Sequence, residues 1–170
     1  MRSMFAAILP RRLMRNRRPL HLLRAIEPRE QRYWTIRCEV DYWRPYRDIY
    51  GEAAAAEALR RIAYALALTR RGDDRVVSQD GNQFMMILAG DGLDRVKADA
   101  DRHREAVESL QIPHQGSPFG VVTISIGLAT IVAGGRNATA EAIEAADAAL
   151  GRAQRSGRNQ VVAAAGLVPA

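Results

Sequence analysis

The chain has 170 residues, 48% of them hydrophobic and 26% charged, and a formal net charge of +6. That is enough for one domain with a packed core and too little for two of ordinary size. No apolar run approaches bilayer-crossing length, and the single Cys38 excludes a disulfide framework within one chain. Lys97 is the only lysine, so nearly all the positive charge is guanidinium. That planar fork suits phosphate and the Hoogsteen edge of guanine, which points to a nucleotide or nucleic-acid partner. The plainer alternative is compositional drift toward arginine.

Residues 1–18 form a basic arm (Arg2, Arg11, Arg12, Arg15, Arg17, Arg18) whose short apolar patch is interrupted by Pro10. It fits a secretory signal poorly and reads as a frayed terminus or as a membrane- or partner-binding arm. Leu20 to Ile26 predicts a short helix, and Arg32 to Val40, aromatic and β-branched, a strand. Cys38 in that strand reads as a small core hydrophobe rather than a nucleophile. Ala53 to Arg71 predicts a long helix with Leu59, Ile62, Ala63 and Leu66 on one buried stripe, Gly72 as C-cap, and Arg70 and Arg71 at its negative end.

Two strands over 75–79 and 83–89 flank Asp80-Gly81, a tight-turn signal. A polar helix over 93–110 follows, then a long strand Phe119–Val132 with a bend at Gly127. Gly134 and Gly135 make a loop. Asn137 or Thr139 caps a helix over 140–156, Gly157 ends it, and Gln160 to Ala164 closes the sheet. His103 and His114 read as surface residues, since nothing supplies metal-site spacing for them. The element order is that of an α+β fold: a ferredoxin-like two-layer sandwich with helices packed on a central, mostly antiparallel sheet. The expected organisation is the arm at 1–18, one domain at 19–165 and a tail at 166–170.

Several motifs in this order and spacing carry a family resemblance. They are Asn16-Arg17-Arg18 and Glu39-Val40-Asp41-Tyr42-Trp43-Arg44, the latter running on through Arg47-Asp48 to Gly51. Asp80-Gly81-Asn82-Gln83-Phe84, Val122-Thr123-Ile124-Ser125-Ile126-Gly127, Ala146-Asp147-Ala148-Ala149-Leu150 and Gly157-Arg158-Asn159 follow. Together they resemble the GGDEF domain of diguanylate cyclases, which join two GTP molecules into cyclic di-GMP, with the cyclase-palm form of the fold above. The Asp-x-Leu-Thr that usually precedes the Asn-Arg-Arg is missing.

The resemblance implies a site whose chemistry has been lost. Phosphoryl transfer of this kind needs metal ions held by carboxylates. The two ligand positions hold Glu39 and Asn82, and the next acid of the hairpin is Gln83. Glu39 is at most a weak metal ligand and Asn82 offers only a neutral carbonyl, so magnesium is not expected, nor any other cofactor. Asp80 stands where the first Gly would let phosphate approach. The guanine-reading Asn and Asp are replaced by Arg47 and Ala56, and the phosphate-contacting Lys of the last helix by Gln154, while Arg158 persists. The expectation is a domain that is not an enzyme.

The family's inhibitory product site is an Arg-x-x-Asp five residues before the hairpin, and Arg71 and Asp74 fall in that register. The site's second arginine corresponds to Arg102, and Arg70 and Arg75 add charge for phosphates. Arg71 as a plain helix-end cation and Asp74 as a plain turn residue remain open. The implied function is a cytoplasmic cyclic di-GMP receptor, paired with a protein partner or a second copy. The alternatives are a ligand-independent interaction scaffold and, less favoured, weak residual cyclase activity through Glu39. Specific nucleic-acid binding is not expected, because no recognition helix or aromatic platform is present.

Overall fold

The computed structural model describes residues 33–71, 74–78, 81–90, 92–131 and 138–166. The basic arm with Asn16-Arg17-Arg18, the helix expected at Leu20–Ile26, the caps at Gly72 and Asn137, the turn residue Asp80 and the loop glycines Gly134 and Gly135 lie outside them.

Among the described residues, five strands and three helices follow one another as β1 (Tyr33–Val40), α1 (Trp43–Thr69), β2 (Arg75–Ser78), β3 (Gln83–Ala89), α2 (Leu93–Glu108), β4 (Ile124–Ile131), α3 (Ala138–Arg155) and β5 (Val161–Ala163). The sheet order is β2-β3-β1-β4-β5. Its first four strands pair antiparallel, the split βαβ arrangement. β5 runs parallel to β4, a pairing that requires a crossover, and α3 supplies it.

Strand alternation sets the layers. Trp34, Ile36, Cys38 and Val40 of β1 join Phe84, Met86 and Leu88 of β3 and Ile124, Ile126 and Leu128 of β4 in one core. Ile62 and Leu66 of α1 and Val96, Ala100 and Val107 of α2 close over that face. Leu66 is fully buried, so Leu66→Ala would cost about 2–5 kcal/mol. Cys38 is enclosed there, and burial pushes its thiol up to about 12, leaving an inert apolar filler. α3 covers the other face through small residues. A Cβ on Gly127 would lie 2.1 Å from the Ala146 carbonyl oxygen and 2.2 Å from the Leu150 nitrogen. Gly127 therefore admits a helix backbone against the sheet and bends nothing. It stays in register opposite Arg37.

Two boundaries differ from the sequence expectation for physical reasons. The strand expected over Phe119–Val132 begins at Ile124. Before it, Ser117 N donates to His114 O (3.1 Å), Gly120 N to Ser117 O (3.0 Å) and His114 N to Gly120 O (2.9 Å), closing a turn whose Gly120 has φ +71°. The helix expected from Ala53 begins ten residues earlier, at Trp43, and is broken at Gly51 (φ 79°, ψ 171°). Pro45 is compatible with that early start, because first-turn N–H groups have no intrahelical partner. The ring of Tyr46 stacks on Trp43 at 5.3 Å and meets the edge of His114 at 5.1 Å, which holds the segment down.

Candidate functional site

At the N-terminal end of α1, the β1–α1 junction, the β2–β3 hairpin tip and the end of α3 enclose a cleft of about 680 Å³. Glu39, Asp41, Tyr42, Arg44, Arg47, Asn82, Gln154 and Arg158 contribute to its lining. The structure thus brings together most of the positions the resemblance assigned to catalysis. Gln83 lies alongside, and Ala56 is exposed on α1.

Several polar groups of this cleft are engaged in hydrogen bonds. Asp41 is 2% exposed. It accepts from Thr123 Oγ1 (2.8 Å), Ser125 Oγ (2.7 Å) and the Asn159 backbone N–H (3.1 Å). Burial raises its pKa, and those three donors pull it back. Glu39 Oε2 accepts from Gln83 Nε2 (3.0 Å), and Gln83 Oε1 accepts from Arg37 Nη2 (3.3 Å). Arg37 in turn donates through Nε to Asp147 of α3 at 2.5 Å. The Asn82 side-chain N–H reaches the Val40 carbonyl at 3.3 Å. Arg47 pairs with Glu52, and the Arg158 guanidinium lies 4.4 Å over the Tyr42 ring.

The divalent cation that the resemblance implies does not fit this donor set. Of the cleft's carboxylates, Asp41 already accepts three hydrogen bonds and Glu39 takes an amide N–H. Asn82 turns its amide nitrogen onto the main-chain carbonyl beside it. With Asp41 buried and held by its three donors, Glu39 and neutral amides leave a dication poorly balanced. Among the described residues no group of three or more His, Cys, Asp or Glu side chains could hold a metal.

A second polar cluster occupies the other end of α1. The turn after the helix closes on itself: Asp74 N donates to Arg71 O (2.8 Å), and Arg71 N donates to Asp74 Oδ2 (2.8 Å). Asp74 Oδ1 also accepts from Ala89 N of β3 (3.3 Å), and the residue is 4% exposed. Arg70 Nη1 reaches Asp74 O at 3.4 Å. From α2, Arg102 Nη2 lies 2.5 Å from Asp99 Oδ1, and Arg71 Nη1 reaches the same oxygen at 3.7 Å. The Arg71 and Arg102 side chains remain 55% and 37% exposed, above an Asp99 side chain that is 7% exposed. The structure therefore gathers Arg70, Arg71, Asp74 and Arg102. Arg75 starts β2 opposite Ile87, and its side chain is outside the described residues.

Both histidines expected on the surface are buried. His103 is 1% exposed, with Nδ1 2.5 Å from Thr69 Oγ1 and Nε2 without a partner. Burial pushes its pKa down to about 4, against the pull of Asp74. His114 is 0% exposed and its Nε2–H donates to the Tyr42 carbonyl at 3.0 Å, which supports the left-handed Tyr42 at φ 52°. A signal for His103 was present: it continues the stripe Val96, Ala100, Val107 on the inner face of α2. Asp99 and Arg37 were missed. Asp99 stands three residues before Arg102, a spacing that places both on one helix face. Nothing local marks Arg37, which lies in the middle of a strand.

The GGDEF family profile, described as "Diguanylate cyclase, GGDEF domain", matches residues 6–160. The response regulator PleD of Caulobacter vibrioides is 33% identical over 133 residues, 73% of this chain and 27% of that protein. Diguanylate cyclase A of Treponema denticola is 29% identical over 131 residues, 77% of this chain and 35% of that protein. The chain thus spans about a third or less of the length of these curated relatives. Among solved structures, the GGDEF domain of DgcB from Caulobacter crescentus in complex with c-di-GMP superposes with a TM-score of 0.69 at 23% identity, covering 78% of each chain. Diguanylate cyclase SiaD of Pseudomonas aeruginosa, solved with its activator SiaC, gives 0.67 at 26% identity over 79% of this chain and 50% of that one. The α+β cyclase-palm architecture is common to all three.

Proposed function

The chain belongs to the GGDEF domain family, and from that premise we propose that it is a catalytically inactive member that serves as a cyclic di-GMP receptor. The observation that carries the reading is the convergence of Arg71, from beyond the end of α1, and Arg102, from α2, on one buried carboxylate while both arginine side chains stay substantially exposed. Guanine offers O6 and N7 as acceptors to such a fork, and the ligand's phosphates favour the surplus positive charge, to which Arg70 and Arg75 add. Asp74 belongs to the site as the residue that closes the turn presenting Arg71.

The inactive half of the reading rests on the cleft. Glu39, Asn82 and Gln83 leave no paired carboxylates for metal, and Arg47, Ala56 and Gln154 replace the groups that would orient GTP. Residues 19–165 act as the receptor unit, the arm at 1–18 as an accessory, and the setting is cytoplasmic. Ligand shared between two domains favours a homodimer or a complex with a protein partner.

Calorimetric titration of cyclic di-GMP, GTP and GDP against one preparation tests this. Cyclic di-GMP binds, and Arg71→Ala or Arg102→Ala weakens it by about tenfold or more, the worth of a charge-assisted bidentate contact. No heat at high micromolar cyclic di-GMP would favour a ligand-independent interaction scaffold. Consumption of GTP with Mg²⁺ or Mn²⁺ would overturn the inactive assignment.

A further inference from the structure

We infer that Asp99, rather than Asp74, is the carboxylate that reads the guanine N1–H and N2–H₂ donors at this site. The inference rests on the receptor reading above and deepens it.

Guanine recognition by charge needs two complementary parts side by side. A guanidinium serves the O6 and N7 acceptors, and a carboxylate serves the neighbouring N1–H and N2–H₂. Asp74 is badly placed for the second part. Oδ2 holds the Arg71 N–H at 2.8 Å and Oδ1 the Ala89 N–H at 3.3 Å. Turning that carboxylate toward a base would break the turn that orients Arg71 and strand two N–H groups.

Asp99 has the arrangement that recognition requires. It lies three residues before Arg102 on α2, so the helix fixes guanidinium and carboxylate in one register. Arg71 approaches the same Oδ1 from just beyond the end of α1 at 3.7 Å, beyond hydrogen-bond range. That contact is loose and easily exchanged for a base. What covers the Asp99 side chain is in part the two arginines themselves, which are 55% and 37% exposed. As they move onto guanine O6 and N7, the carboxylate is uncovered beside them. Below it, His103 is buried and held neutral, so it brings no competing positive charge to Asp99.

The test compares cyclic di-GMP with its di-inosine counterpart, which lacks both 2-amino groups, by calorimetry on wild type, Asp99→Asn, Asp99→Ala and Asp74→Asn. A thermal melt of each protein checks folding. Wild type prefers the guanine ligand. Both Asp99 variants lose about tenfold or more in cyclic di-GMP affinity, and the preference over di-inosine collapses toward one. Asp74→Asn lowers the melting temperature and weakens both ligands by a similar factor, keeping the preference. The inference is overturned if the Asp99 variants keep the preference, if they bind more tightly, or if Asp74→Asn alone erases it. Wild type that binds neither ligand would overturn the receptor reading itself. Wild type that binds with discrimination untouched by Asp99→Asn overturns this inference alone.

Discussion

The cleft and the arginine cluster sit at opposite ends of α1 and dispose of their charges in opposite ways. In the cleft Asp41 is buried and held by two hydroxyls and a backbone N–H, and Glu39 takes an amide N–H. In the cluster the carboxylate is buried, but the cations over it are half exposed and converge from separate elements. Polar groups that satisfy one another make structure. Cations held together at the surface, with capacity left over, make a binding site.

The comparison breaks most visibly at Asp41. Asp41→Ala leaves two buried hydroxyls and a backbone N–H without an acceptor, and should cost about 3 kcal/mol or more in denaturant unfolding. Cyclic di-GMP affinity of the folded variant should stay within about twofold, because the two regions are separate. A loss of affinity as large as that of Arg71→Ala would show that the cleft and the cluster are one site.

His103 gives the next effect. The unfolded chain takes up this proton near pH 6.5, the folded chain only near 4, so the unfolded state binds more protons between those values. Stability is therefore complete above pH 6.5 and falls as pH drops toward 4, by about 3 kcal/mol in all. Asp41 acts in the reverse sense, because its raised pKa favours the protonated folded form as pH falls. The difference between wild type and His103→Gln, followed by denaturant unfolding from pH 7 to pH 4, isolates the histidine. Equal slopes for the two proteins would show that His103 is solvated.

Arg71→Ala sharpens the contrast from the other side. Its side chain is 55% exposed, so the variant should change unfolding free energy by less than about 0.5 kcal/mol while binding falls about tenfold. The smallest effect belongs to the exposed Arg47–Glu52 pair. Glu52→Ala should shift stability by less than about 1 kcal/mol in a thermal melt. A larger shift would mean that Arg47 is a structural plug of the cleft.

Much of the fold was legible locally. The aromatic and β-branched run Arg32 to Val40 placed β1, the stripe through Ile62 and Leu66 placed most of α1, and Asp80-Gly81 placed the hairpin. The α1 start was hidden because Gly51 interrupts the helical period, and rings far apart in sequence hold Trp43 to Tyr50 in place. The true start of the Phe119–Val132 run was hidden because Val121, Val122 and Thr123 are β-branched and read as strand, while the turn closed between His114 and Gly120 delays the strand to Ile124.

The sequence by itself determined which charges exist: an acid-poor hairpin at Asn82 and Gln83, a base position filled by Arg47, and arginines at 71 and 102 in a fixed register. Only tertiary structure decided which of them are spent. Asp74 closes its own turn, Asp99 receives two guanidinium groups, Arg37 threads between Gln83 and Asp147, and His103 is sealed in neutral form. The Arg71–Asp74 and Asp99–Arg102 contacts are three residues apart, whereas Arg71–Asp99, Arg37 between Gln83 and Asp147, and the sealing of His103 turn on the packing of elements against one another. Residues dozens of positions apart meet only when hydrophobic burial brings their elements together, and no local pattern encodes that distance.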